Sequence, residues 1–212
     1  MNNKNTAIDN HGANQDKKII SYIKADIEDY SNTKRNPGMD FQLDKISNIS
    51  INRSAIERRC KNYGVRRSIK KDKQAAWLLN AITLMDLTTL SGDDTKARVR
   101  RLCSKAKKPL NPTLSKALGV DSLNLGVAAI CVYHDMLSAA KKNLVDSKIN
   151  LAAVSTGFPA GLSPLPLRLQ EIEYSVASGA DEIDIVISRR HVLEGNWQEL
   201  YNEVKSFREK CG

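Results

Sequence analysis

The chain has 212 residues, of which 41% are hydrophobic and 27% charged, and it carries a net charge of +9 at pH 7. That length suits one substantial core or one domain with extensions, and the apolar runs are too short for a bilayer, which excludes a transmembrane helix. The polar N-terminus carries Asp9, Asp16, Asp26, Glu28 and Asp29, so neither a signal peptide nor a transit peptide is expected, and the cytoplasm is the expected location.

Residues 1–42 are Asn-rich and polar, with one helical patch around Ile19, Ile20 and Ile23. They read as a mostly disordered tail. Residues 43–75 read as a basic helical extension holding Arg58-Arg59, Arg66-Arg67 and Lys70-Lys71. Ser54, with Glu57 three positions on, is a capping-box signature at the start of a helix. Tyr63 is the lone aromatic in the basic stretch. Base-stacking platforms are therefore absent, which argues against specific nucleic-acid recognition; charge alone gives a non-specific phosphate attraction.

From Gln74 a short helix leads into a strand at Ile82–Leu87, followed by a loop and a helix with Val99, Leu102, Cys103 and Ala106 on one stripe. A second strand is expected at Val127–Tyr133, with a helix buried through Met136, Leu137, Ala140 and Leu144. A third spans Ile149–Ser155 and runs into Gly157-Phe158-Pro159-Ala160-Gly161. The next helix carries Leu165, Leu169, Ile172 and Val176. The fourth strand lies within Ala180–Ile187. A last helix starts at Asn196 and is buried through Trp197, Leu200, Val204 and Phe207. Strand and helix thus alternate four times, which predicts an α/β fold with a parallel sheet and right-handed crossovers.

In such folds chemistry gathers at the carboxyl ends of strands. Asp86 and Thr88, Cys131, Ser155 and Thr156, and Asp184 sit at or near those ends. Alternation puts Ile183, Ile185 and Ile187 on one face of the fourth strand and Glu182, Asp184 and Val186 on the other. Asp184 is expected to be buried there, either as a paired structural carboxylate or as an acid–base group. No dinucleotide or Walker glycine fingerprint follows the first strand. Gly157 and Gly161 are a weak phosphate-loop hint; otherwise they let a loop turn tightly. Cys60, Cys103, Cys131 and Cys211 form no CxxC pair, and His11, His134 and His191 lack ligand spacing, so neither a disulfide framework nor a zinc site is indicated.

Four stretches in order, Leu84-Met85-Asp86-Leu87-Thr88-Thr89-Leu90, Ala128-Ala129-Ile130-Cys131-Val132-Tyr133, Gly157-Phe158-Pro159-Ala160-Gly161 and Ala180-Asp181-Glu182-Ile183-Asp184-Ile185-Val186-Ile187, carry a resemblance. From about Leu43 onward the chain resembles the deoxyribose-phosphate aldolase family in its eukaryotic form, which has an N-terminal helical extension. The resemblance implies a (β/α)8 TIM barrel. It also implies reversible cleavage of 2-deoxyribose 5-phosphate to glyceraldehyde 3-phosphate and acetaldehyde through a lysine Schiff base. No metal or other cofactor is implied, because the iminium is the electron sink. Asp184 matches the catalytic aspartate, and Asp86, Thr88 and Cys131 match positions lining the substrate pocket. The implied partners are the small phosphorylated sugar and aldehyde substrates.

The chain also departs from that pattern. Ala76 to Gly212 is 137 residues, enough for about four βα units where a complete barrel takes about 250 residues. The family's Lys-Thr-Ser-Thr-Gly motif, which holds the Schiff-base lysine, is absent from the sequence, as are its Lys-Pro-Ala-Gly-Gly motif and the late phosphate loops. Lys148 is the lysine nearest a strand, and it precedes the third one, at the non-catalytic end. His134 stands where the family commonly has proline, a helix-start change. Residues 76–212 thus read as the first half of an aldolase barrel, predicted inactive alone; a truncated sequence, a splice product or a decayed gene would all look like this. The competing readings are a non-catalytic half-barrel interaction protein and a weak nucleic-acid binder acting through the basic extension. Four strands leave two open edges, and an inner face including Val127, Ala129 and Ala153 would lack its filling, so self-association is expected.

Overall fold

The computed structural model describes residues 18–23, 38–66 and 69–212. Helices and strands are numbered here in chain order from Asp44. The described residues up to Ala81, together with Lys116–Val120, form one unit; Ile82–Ser115 with Asp121–Gly212 form a second. The boundary expected after residue 75 falls within a helix, α3 below.

In the first unit residues 18–23 are helical, with Ile19 and Ile23 buried. Residues 1–17 and 24–37 of the expected tail lie outside the described residues. Helices α1 (Asp44–Ser47), α2 (Arg53–Tyr63) and α3 (Lys71–Thr83) follow. No residue of α2 is buried, as a solvated basic helix requires. Its cap is Asn52, whose side chain accepts the Ala55 N–H at 3.0 Å. Ser54, expected in that role, instead donates its hydroxyl to Asn52 Oδ1. Asn caps as well as Ser, so the helix begins at Arg53, two residues earlier than the Ser-x-x-Glu pattern suggests.

The second unit is built on a parallel sheet of order β1-β2-β3-β4: Asp86–Thr88, Ala129–Tyr133, Asn150–Val154 and Glu182–Asp184. Between and after the strands come α4 (Lys96–Lys107), α5 (Pro112–Ala117), α6 (Leu137–Leu144), α7 (Leu165–Ala177), α8 (Arg189–Leu193) and α9 (Trp197–Cys211). The first strand is shorter than expected, because α3 runs on through Ile82 and Thr83. No Gly or Pro interrupts Gln74–Thr83, and β-branched residues cost a helix only a few tenths of a kcal/mol. Pairing starts at Met85, whose carbonyl accepts the Ala128 N–H at 3.0 Å.

The helix-facing side of the sheet holds the larger core, with Ile130, Val132, Leu151 and Ala153 packed against Val99, Cys103, Ala106, Leu137, Ala140 and Leu144. The stripes expected on α4 and α6 supply these contacts. Val127 and Ala153 belong to this core and not to the inner face; only Ala129 of the expected trio faces inward, in a second cluster with Cys131, Ala152 and Val154. On α7 the buried set is Arg168, Ile172 and Ser175, whereas Leu165 and Val176 are exposed. On α9, Glu203 and Phe207 are buried, while Val204 is exposed. Arg168 Nη2 donates to Glu203 Oε1 at 2.6 Å, so a buried charged pair links the two helices where apolar stripes were expected.

Candidate active site

Two-residue alternation and parallel register bring the expected site residues onto one face. Asp86 pairs with Ala129 and Thr88 with Cys131; Cys131 pairs with Ala152; Val154 pairs with Asp184. Partners in register point the same way, so Asp86, Thr88, Cys131 and Asp184 all belong to the inner face, with Glu182 beside them.

Cys131 is the buried member, at 2% exposure. Its thiol donates to Asp184 Oδ2 across 3.9 Å, reaching from β2 over β3 to β4. Neighbouring strands lie about 4.8 Å apart, so this contact spans two strand spacings. It requires both side chains to lean over Ala152, the small residue between them. A bulky residue at 152 would separate them.

The face is acidic. Glu182 accepts a hydrogen bond from Asn150 Nδ2 at 2.6 Å. Partial burial first, then the charges of Glu182 and Asp184, raise the Asp86 carboxyl above its ordinary 3.8. Burial first, then Asp184 and Asp86, push the Cys131 thiol up to about 11. The charges acting on both groups are therefore carboxylates. Among the described residues no lysine hydrogen-bonds or ion-pairs with Asp86, Cys131 or Asp184.

Asp184 itself is exposed, contrary to the expectation of burial. Its strand is at the edge of the sheet, whereas Ala152 and Val154 on the same face are buried, with Leu90 and Tyr133 packed against their cluster. The isoleucines expected to be buried, Ile183, Ile185 and Ile187, are each half-buried.

Two devices fix the carboxyl end of β4. The Ser155 N–H donates to the Asp184 carbonyl at 2.9 Å. Thr156, fully buried, then replaces the ladder with its side chain. Its Oγ1 accepts the Val186 N–H at 2.6 Å and donates to the Val186 carbonyl at 3.0 Å. Its φ is +61°, a left-handed conformation that a β-branched residue rarely adopts. The sequence signal for this role is a small hydroxyl residue at a strand end, directly before Gly157.

The loop beyond it turns tightly, with the Gly161 N–H on the Gly157 carbonyl at 2.8 Å. Both glycines have positive φ, and a Cβ on Gly161 would come within 3.0 Å of Val186 Cγ1. This supports the turn-forming role of the pair. The Gly157 N–H is held by Glu171 Oε2 at 2.8 Å. His134 opens a 3-10 turn, His134–Met136, after β2, and its ring packs edge-on against Tyr133 and Tyr174. Lys148 is exposed, just ahead of β3.

An array of three carboxylates and a thiol, with no cation among them, can take up and release protons and favours an ammonium or iminium placed over it.

Residues 80–212 match the DeoC/LacD family of aldolases. The chain is 49% identical over 177 residues to deoxyribose-phosphate aldolase of Mus musculus, which covers 82% of this chain and 56% of the relative. It is 47% identical over 179 residues to deoxyribose-phosphate aldolase of Homo sapiens, covering 84% of this chain and 56% of the relative. It therefore spans a little over half the length of these relatives. A crystal structure provisionally assigned as a deoxyribose-phosphate aldolase from Coccidioides immitis superposes with a TM-score of 0.52 at 22% identity, over 63% of this chain and 46% of that one. That likeness concerns the fold: four successive βα units correspond to part of a barrel. Among the described residues no helix is long and apolar enough to cross a membrane.

Proposed function

The chain belongs to the DeoC/LacD family of aldolases, and on that premise we propose that it carries the proton-moving part of a Schiff-base aldolase site acting on 2-deoxyribose 5-phosphate. One observation carries the reading: Asp86, Glu182 and Asp184 share one open sheet face with no cation of the described residues against them. Like charges so placed repel, and an amine or iminium over the face would relieve the repulsion. Asp184, at the carboxyl end of an edge strand, moves protons during formation and turnover of the iminium. Asp86, Thr88 and Cys131 line the substrate pocket. Cys131 stays a neutral thiol at physiological pH and fills space beside Asp184 without acting as a nucleophile. The Lys-Thr-Ser-Thr-Gly motif is absent from these 212 residues, and on this reading the amine comes from elsewhere and the chain by itself does not turn over. Its substrates are a phosphorylated deoxy sugar and small aldehydes. A cytoplasmic location and self-association through the edges of the sheet go with this reading.

The test is a chimera: this chain followed by the part of the mouse relative that lies beyond the matched segment. It should cleave 2-deoxyribose 5-phosphate, and Asp184→Asn in the chimera should lower kcat by about 10²-fold or more, the usual scale of general acid–base catalysis. A folded Asp184→Asn chimera that turns over as fast as the unsubstituted one removes the role assigned to Asp184.

A further inference from the structure

A cavity of about 680 Å3 lies between the loop ahead of α7 and helices α7, α8 and α9, lined by Ser163, Arg168, Ser188, Arg189, Arg190 and His191 among others. None of Asp86, Thr88, Cys131 and Asp184 lines it. We infer that this cavity is a binding site for an organic phosphomonoester, separate from the acidic face and independent of the function proposed above.

Arg168 is the first reason. It is 5% exposed, with its guanidinium stacked over the Phe207 ring at 5.3 Å. Only Nη2 is engaged, by Glu203 Oε1 at 2.6 Å and Ser188 Oγ at 3.3 Å. Nε and Nη1 are buried without an acceptor, and so is Nδ1 of His191 on the same cavity wall. Unpaired donors on a buried arginine are costly, and an anionic oxygen would supply the acceptor that they lack.

The second reason is charge. Glu203 cannot serve as the missing acceptor, because its oxygens already take Arg168, the Ser188 hydroxyl at 2.5 Å and the Ser188 N–H at 2.8 Å. Burial pushes its carboxyl up, but those hydrogen bonds outweigh it and hold the group below its ordinary value. Arg189 and Arg190 have no carboxylate within ion-pair reach among the described residues, and Glu199 is the one other acid on the wall. The three arginines exceed the two glutamates of the wall by one positive charge, which favours an anion there.

The third reason is the rim. Leu162 and Leu193 border the cavity and are 83% and 86% exposed. Nearly naked leucines beside unpaired arginines suit a ligand with a phosphate at one end and a carbon body at the other.

The experiment titrates the whole chain with phenyl phosphate and with inorganic phosphate, by calorimetry. Arg189 and Arg190 are exposed, so Arg189→Gln with Arg190→Gln should leave the melting temperature unchanged. Loss of charge-assisted hydrogen bonds should weaken phenyl phosphate binding by at least about tenfold. The charge-matched control, Arg100→Gln with Arg101→Gln on α4, should bind as the parent does, and so should Asp184→Asn. Leu162→Ala with Leu193→Ala should weaken phenyl phosphate more than inorganic phosphate. Absence of binding, equal losses in the two arginine pairs, or loss in Asp184→Asn would each overturn the assignment.

Discussion

Replacing Asp184 with Asn tests the inner-face geometry in the chain as it stands, without turnover. Cys131 reports on it, because its thiol lies 3.9 Å from Asp184 Oδ2. A rise from the ordinary 9.0 to about 11 leaves about a hundredfold less thiolate at neutral pH, since each unit is a factor of ten. Burial is the largest cause, with Asp184 next and Asp86 after it. Removing only the Asp184 charge should therefore restore part of that factor, roughly two- to tenfold, because burial and the second carboxylate remain. The assay is iodoacetamide labelling across pH 7 to 11, read at each cysteine by mass spectrometry. In the parent, Cys131 should label far more slowly than the exposed Cys60, and its rate should still be climbing at the top of the range. In Asp184→Asn its rate at pH 8 should rise by the stated factor and level off at lower pH, with Cys60 unchanged. Access to the buried thiol limits both proteins alike and cancels in the ratio. An identical Cys131 profile in the two proteins, with identical circular dichroism, would refute the contact across Ala152.

Thr156→Val removes both hydrogen bonds to Val186 while keeping the shape; unpaired backbone groups should cost about 1–3 kcal/mol, read by denaturant unfolding, and an unchanged midpoint would remove Thr156 from the support of β4. The raised Asp86 carboxyl means that the folded state holds its proton more tightly, so stability falls as pH climbs from 3.8 through the folded value. Asp86→Asn should thus be more stable than the parent at pH 7, with the difference vanishing below the ordinary 3.8; a constant difference across pH would contradict a carboxyl raised by burial and by its two acidic neighbours. Residues 43–212 should self-associate through the edges of the sheet, and sedimentation of a compact monomer at micromolar concentration would oppose this.

The order of strands and helices was legible in the sequence because it follows from periods of 3.6 and 2 within short windows; the grouping of Asp86, Thr88 and Cys131 with Asp184 came from the family resemblance, since register between strands is not a local pattern. What was illegible depends on distant partners. Arg168 is buried because Glu203 waits 35 positions on, and no local pattern announces that. The exposure of Asp184 depends on what lies over an edge strand, which its three isoleucines do not report. The overrun of α3 reflects the weakness of β-branched residues as helix stops. Thr156 reads as one more polar residue at a strand end, until its φ and its two bonds to Val186 show that it extends the ladder.

The central claim is that this chain supplies the acidic, proton-moving face of an aldolase site and not its amine. Borohydride trapping with acetaldehyde addresses it most directly, because reduction fixes whichever lysine has formed an iminium. The 212-residue chain should give slow, scattered adducts on its basic helices, since exposed lysines titrate near 10.4 and are mostly protonated at pH 7. The chimera with the mouse segment should label at a single lysine within that segment. One lysine of this chain that labels rapidly and stoichiometrically would contradict the account.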